Sequence, residues 1–194
     1  MNIRLTPPYK YLVQKPLLCG AACIQMILFR HGKWFEQEQL AKAMNFGISK
    51  ESKYCFSVKL KTVKPKDGGI YMRDFTPALN KFFKKYQLNY EANSYWFGKF
   101  KDAEKIIYEN LIKSNDMILN INFKPLIKKM HWLSKKANWG HFVLVSEIKN
   151  SKIKICDPSW SDPTYWWISV KDAVQAMSPK YDKITRGFII ISKK

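Results

Sequence analysis

The sequence predicts an α+β fold with an antiparallel sheet. Two observations carry this. Apolar residues recur at helical spacing through most of the first part of the chain. From Met117 onward the period falls to two, the spacing of half-buried strands. The chain has 194 residues, an apolar share of 46% and an aromatic share of 15%, which fit one globular domain with a real core. No internal repeat or linker divides it. The expected organisation is a single domain over residues 1–194, with a helical part at about 1–115 and a sheet part at about 116–194.

Residues 1–18 read as an extended lead-in. Pro16 keeps Lys15 out of helical geometry, so the first helix starts near Cys19. Its apolar positions Cys23, Ile24, Ile27 and Leu28 share a face, and Gly32 supplies a stop. A second short helix covers 35–45, with Leu40, Ala41 and Met44 inward. Gly47, Pro65, Gly68 and Gly69 break residues 46–72, which predict a flap over a cleft. Within it, Phe56–Val63 alternates like an exposed strand. Thr76-Pro77 is a cap followed by a first-turn proline, opening a helix with Leu79, Phe82, Phe83 and Tyr86 on one face. Another helix begins near Asp102, with Ala103, Ile106, Ile107 and Leu111 inward.

Leu119, Ile121 and Phe123 then alternate with Asn120 and Asn122 as a strand. Phe142–Val145 is a continuous apolar run, a central strand. Lys149-Asn150-Ser151 is a turn, and Lys152–Cys156 alternates again. Ser169-Val-Lys-Asp172 resembles a capping box that opens a helix carrying Ala173, Val174 and Met177. Gly187–Ile191 closes the chain as a strand.

Net charge is +19, from 34 basic and 15 acidic residues. Such a balance attracts polyanions, nucleic acid or an anionic surface among them. No nucleic-acid motif accompanies it, and a lysine-coated surface is the favoured reading. No apolar run reaches membrane-spanning length. The N-terminus lacks the apolar core of a secretory signal, so a cytoplasmic location is expected. The four cysteines, Cys19, Cys23, Cys55 and Cys156, lack zinc-site spacing, and free thiols in a reducing compartment are the simpler reading. Neither metal nor cofactor is expected.

The chemistry concentrates in two stretches. Cys19 opens a helix, where unpaired N–H groups and the positive end of the dipole favour thiolate. A cysteine on an apolar helix also serves as a small core hydrophobe. Far downstream, Gly140-His141-Phe-Val-Leu-Val and Ile155-Cys-Asp157-Pro158 flank a hairpin turn. The two ends of an antiparallel hairpin are neighbours, so His141 and Asp157 should meet although sixteen residues separate them. A carboxylate beside an imidazole fixes its tautomer. Thiol, imidazole and carboxylate form a nucleophile–base–orienter set. His31 and His131 are weaker candidates: the first fits a helix end, the second a basic aromatic surface.

Gln14…Cys19-Gly20-Ala-Ala-Cys-Ile-Gln-Met-Ile-Leu, Gly140-His141-Phe-Val-Leu-Val and Ile155-Cys-Asp157-Pro158 together resemble the bacteriocin-leader (double-glycine) peptidases and their stand-alone relatives. The resemblance implies a papain-like cysteine peptidase fold, its N-terminal helical part packed on a C-terminal antiparallel sheet. It implies cleavage of a peptide or small peptide-like substrate through an acyl-enzyme. Cys19 would be the nucleophile, His141 the general base and acid, Asp157 the orienter. Gln14 would join the Cys19 backbone N–H at the oxyanion. In that family the glutamine usually precedes the cysteine by one position more than here. A second resemblance, in Pro16-Leu-Leu-Cys19-Gly20, Gly140-His141-Phe142, Tyr165-Trp-Trp167 and the tail through Thr185-Arg186-Gly187-Phe188, is to phytochelatin synthases. These are also papain-like, but pass a γ-glutamylcysteine unit to another peptide. A catalytically silent papain-like binding module is the alternative from a different class.

Overall fold

Helix α1, Cys19–Arg30, is the spine on which the rest is laid. The structure, a computed structural model, describes residues 2–64, 68–99, 101–159, 163–181 and 183–194. Ten of the twelve residues of α1 are buried, so its surroundings, more than its propensity, hold it helical. It begins where Pro16 requires. Lys15–Leu18 forms a turn closed by the Leu18 N–H on the Lys15 carbonyl at 3.0 Å, with Leu17 at φ 65°. This is the type II arrangement, with proline at its second position. The helix ends at Arg30, and Gly32, at φ 72°, reverses the chain as expected.

The lead-in is extended and lies along α1. Its start, β1 (Asn2–Arg4), is a strand the sequence reading did not separate from the rest. Helix α2 (Gln37–Ala43) follows, its first turn closed by a capping box between Glu36 and Gln39. Strands β2 (Gly47–Ser49) and β3 (Lys61–Val63) pair in parallel as a small second sheet. The exposed strand expected over Phe56–Val63 is thus confined to its last three residues. The reason is Glu38 of α2, 4% exposed, whose Oε2 accepts from Ser57 N–H (2.9 Å), Ser57 Oγ (2.6 Å) and Val58 N–H (3.1 Å). Those bonds take backbone donors that a longer strand would have needed. Pro65, expected as a breaker here, lies outside the described residues.

Helix α3 runs over Met72–Lys85, a turn earlier than Thr76-Pro77 would open it. Met72 and Phe75 continue the buried face of Leu79, Phe82 and Phe83, and that burial outweighs the one ladder bond Pro77 cannot donate. Thr76 does not cap; its Oγ1 lies 2.6 Å from Ser94 Oγ. Ser94 belongs to β4 (Tyr90–Trp96), a strand absent from the sequence reading. Helix α4 (Ala103–Ile112) starts where expected, with the Asp102 carboxylate accepting from Lys105 N–H at 2.9 Å.

The remaining elements follow the predicted order: β5 (Asp116–Asn122), β6 (Gly140–Lys149), β7 (Lys152–Cys156), β8 (Tyr165–Ser169), α5 (Val170–Ala176) and β9 (Gly187–Lys193). They build an antiparallel sheet in the order β4-β9-β5-β6-β7-β8, with β1 beside the far end of β6. The Ser169 hydroxyl accepts from Asp172 N–H at 3.1 Å and caps α5. β6 is central, as its apolar run implied. It packs on α1, and Phe142 meets Phe75 of α3 with ring centroids 4.8 Å apart. Gly20 makes that closure possible, because a Cβ there would lie 2.5 Å from the Phe75 ring.

The hairpin of β6 and β7 turns at Asn150-Ser151, both at positive φ (48° and 57°), the twist-matching turn for a two-residue loop. It carries a bulge the sequence reading did not foresee. Lys149 pairs with Lys152 and Glu147 with Lys154, but Val145 pairs with Ile155, leaving Ser146 as the extra residue. An unbroken ladder would have set Asp157 opposite Leu144, on the face away from His141. The bulge advances the register by one, and Asp157 falls on the face of Val143 and His141. Ser146 is held on both sides: its Oγ donates to the Lys154 carbonyl (3.1 Å) and its carbonyl accepts from Leu5 N–H (3.0 Å), just beyond β1.

Candidate active site

The first turn of α1 and the first residues of β6 face each other, and Cys19 and His141 lie at those points. Cys19 is half-buried, and the His141 side chain lies close enough to favour the charged form of its thiol. His141, 4% exposed, places Nε2 2.7 Å from Asp157 Oδ1, so Nδ1 is the ring nitrogen left for the thiol. Asp157 is fully buried. It leaves the β7 ladder with its N–H on the Thr164 carbonyl (2.8 Å). Its Oδ1 also accepts from Ser159 N–H (2.9 Å) and its Oδ2 from the Trp166 indole N–H (3.1 Å). A buried carboxylate needs such donors to stay ionised.

The electrostatics follow from these contacts. Burial pushes the Cys19 thiol up, but the His141 side chain and the Phe142 and Gly20 N–H groups outweigh it, and the net is below the ordinary value of 9.0. Burial alone would push His141 down. The Asp157 carboxylate and the Cys19 thiol reverse this and raise it from 6.5 to about 10. Burial also acts to raise Asp157, and the His141 charge with the Ser159 and Trp166 donors holds it below the usual 3.8. Cys23, one turn further along α1, has none of this support: it is buried, donates to the Phe142 carbonyl at 3.4 Å, and burial pushes its thiol well up. Cys156 is likewise raised by burial, to about 12. The same helix carries a thiol poised to ionise and one that stays protonated.

Gln14 sits beside this set. Its backbone N–H donates to the carbonyl of Pro158, the residue after Asp157, at 2.8 Å. Aromatic side chains wall the histidine. Phe123 lies 5.1 Å from the His141 ring and contacts Trp132 and Trp139, while Trp132 stacks near Trp166. Trp139 stays half exposed at the rim. All four cysteines carry free thiols. Among the described residues no group of three or more His, Cys, Asp or Glu is placed to hold a metal, and no helix is long and apolar enough to cross a membrane.

Of the residues singled out in the sequence, Cys19, His141 and Asp157 come together, and the Gln14 backbone is joined to them through Pro158. His31 and His131 do not join them. His31 caps the far end of α1, its Nε2 2.7 Å from Asp116 Oδ2, and His131 is exposed. Trp166 was missed as a partner of Asp157. It stands in the aromatic run Tyr165-Trp-Trp167, but no spacing marks which indole turns inward.

The fold recurs in solved structures. A protein described as a C39-like peptidase from Bacillus anthracis superposes with a TM-score of 0.63 at 16% identity, covering 100% of this chain and 98% of that one. The peptidase domain of Streptococcus ComA, a bifunctional ABC transporter, gives 0.52 at 14% identity over 96% and 99%. Xylellain, a cysteine protease from Xylella fastidiosa, gives 0.50 at 14% identity over 100% and 86%. At these identities the likeness is one of fold, and it is the papain-like C39 peptidase fold that the two sequence stretches implied. No curated protein matches the chain in sequence. The family model named Peptidase_C39 like family does match it, over residues 7–187, a span that takes in Gln14, Cys19, His141 and Asp157, and the chain belongs to that family.

Proposed function

We propose that the protein is a cysteine peptidase that cleaves a peptide or peptide-like amide bond through an acyl-enzyme. The observation that carries this reading is a single imidazole shared between a thiol at a helix start and a buried carboxylate, the latter at 2.7 Å. Membership of a peptidase family supports it.

Cys19 Sγ, as thiolate, attacks the scissile carbonyl carbon. The C=O electron pair moves to oxygen, and the Cys19 backbone N–H and the Gln14 side-chain amide stabilise that oxyanion. His141, protonated in the resting pair, donates its proton to the leaving nitrogen as the C–N bond breaks. The neutral imidazole then takes a proton from water, whose oxygen attacks the thioester. Collapse releases the acid and restores the thiolate–imidazolium pair. Asp157 holds the imidazole in the required tautomer throughout.

The test is the rate of Cys19 alkylation by iodoacetamide against pH, with Cys23, Cys55 and Cys156 followed by mass spectrometry in the same sample. Fast labelling of Cys19 well below pH 9, together with loss of turnover in a folded Cys19→Ala variant, is expected. Labelling of Cys19 no faster than at the exposed Cys55 would overturn the assignment.

A further inference from the structure

We propose that Gln37 is a positioning residue that fixes Gln14 beside Cys19. The inference rests on the reading above, in which Gln14 is an oxyanion donor.

Gln37 is the first residue of α2, and its side-chain amide is buried, 7% exposed. Oε1 accepts from the Lys15 N–H at 2.7 Å. Nε2 donates to the Val13 carbonyl at 2.8 Å and to Gln25 Oε1 at 3.0 Å. The two backbone groups it holds are those immediately before and after Gln14. In extended chain, the carbonyl of one residue and the N–H two residues on point to the same edge, and the N–H of the residue between points to the other. That other edge is also taken, by the Gln14 N–H on Pro158 at 2.8 Å. The backbone at residue 14 is therefore gripped from both edges, by α2 on one side and by the residue after Asp157 on the other.

The bond to Gln25 ties the grip to α1. Gln25, 3% exposed, lies on the helix that Cys19 opens. One buried amide thus sets the spacing between the Gln14 segment and the nucleophile's own helix. The role needs a donor and an acceptor on one planar fork, which glutamine supplies and glutamate or methionine of similar size does not. The neighbouring ion pair of Glu38 with Lys15 reinforces the same segment, but the Lys15 side chain is 44% exposed and that contact adds little.

The experiment compares two reactions of one thiol. Iodoacetamide displacement at Cys19 develops no oxyanion. Acylation by p-nitrophenyl acetate does: the Sγ–acetyl bond forms, the ester C–O bond breaks, and p-nitrophenolate leaves. Gln37→Met and Gln37→Glu should lower the acylation rate by about tenfold or more, while alkylation stays within about twofold of the parent. Glutamate keeps the acceptor for Lys15 N–H and most of the packing, so it serves if methionine impairs folding. On a Gln14→Ala background the Gln37 substitutions should cost nothing further in acylation. Equal losses in both backgrounds, parallel losses in both reactions, or no loss of acylation in the folded variants would each overturn the proposal while leaving Gln14 in place. Unchanged acylation in Gln14→Ala alone would remove the oxyanion reading, and this inference with it.

Discussion

Cys19 is pulled two ways. Burial raises its thiol, and the His141 contact, joined by the Phe142 and Gly20 N–H groups, lowers it further than burial raises it. His141 is the first of the opposing causes, so His141→Ala should move the midpoint of Cys19 alkylation upward, toward or past the ordinary 9.0. Trp166→Phe keeps His141 but takes one donor from Asp157, and the smaller loss it causes in alkylation below pH 8 should be graded between parent and His141→Ala. For hydrolysis the sign at high pH is opposite. The leaving nitrogen needs the His141 proton, so turnover should fall as pH rises through about 10, even though thiolate persists there. A pH profile of turnover lacking that alkaline fall would show that protonated His141 is not needed. At this scale Cys19, His141 and Asp157 were legible because each carries its chemistry in its residue type and local pattern. Gln37 and Trp166 were not, because an amide or an indole acquires its role only from what the folded chain sets beside it.

The elements divide in the same way. α4, α5 and β7 show their period in sequence because each buries one face. α1, β6 and β9 are legible instead from their dense apolar content, since they are buried on nearly every side. β5 alternates in sequence as a half-buried strand would, yet all seven of its residues are buried, Asn120 and Asn122 included, because the sheet is covered on both faces there. β4 shows neither signal: of Tyr90–Trp96 only Ala92 is buried, so no apolar alternation marks it. It exists because β9 offers it an edge, pairing Tyr90 with Lys193 through to Trp96 with Gly187. The same absence of a signal explains why Gly187 read simply as a strand start. Its Cβ would stand 1.9 Å from the Tyr95 carbonyl oxygen, a backbone atom that cannot turn aside. Gly187→Ala should therefore push β4 off β9 and cost about 1–3 kcal/mol, read as a lower urea midpoint. An unchanged midpoint would mean that β4 contributes nothing to stability. The Ser146 bulge was beyond reach for a different reason. The extra residue flips the in–out phase of β6, but Phe142–Val145 is apolar on both faces and carries no phase to read, so with Lys152–Cys156 alone the pattern does not report which face Asp157 will take.

For the whole molecule, α1 couples two polar clusters at its ends. Cys19 opens the helix at the candidate site; Arg30 and His31 close it at a buried ionic cluster. Arg30, with its side chain 1% exposed, places Nη1 2.9 Å from Asp116 Oδ1 and donates to the carbonyls of Pro7 (Nε, 2.7 Å), Thr6 (Nη2, 3.1 Å) and Ser114 (Nη1, 3.3 Å). The Tyr9 hydroxyl donates to the same Asp116 oxygen at 2.9 Å, and burial followed by the Asp116 charge raises that phenol well above 10. The lead-in is thereby fastened along α1: residues 6 and 7 at Arg30, Leu12 N–H on Met26 Sδ at 3.3 Å, and residues 13 and 15 at Gln37. Asp116→Ala leaves the Arg30 guanidinium buried without its carboxylate, and should cost about 3–5 kcal/mol in urea unfolding. Asp116→Asn keeps an acceptor for Tyr9 and should cost less. If the lead-in transmits that loss, Cys19 acylation by p-nitrophenyl acetate should weaken in Asp116→Ala while iodoacetamide labelling holds, because the segment that loosens carries Gln14 and not Cys19. A cost below about 1 kcal/mol would show instead that the buried cluster adds little net stability and that the lead-in is held mainly from the Gln37 end.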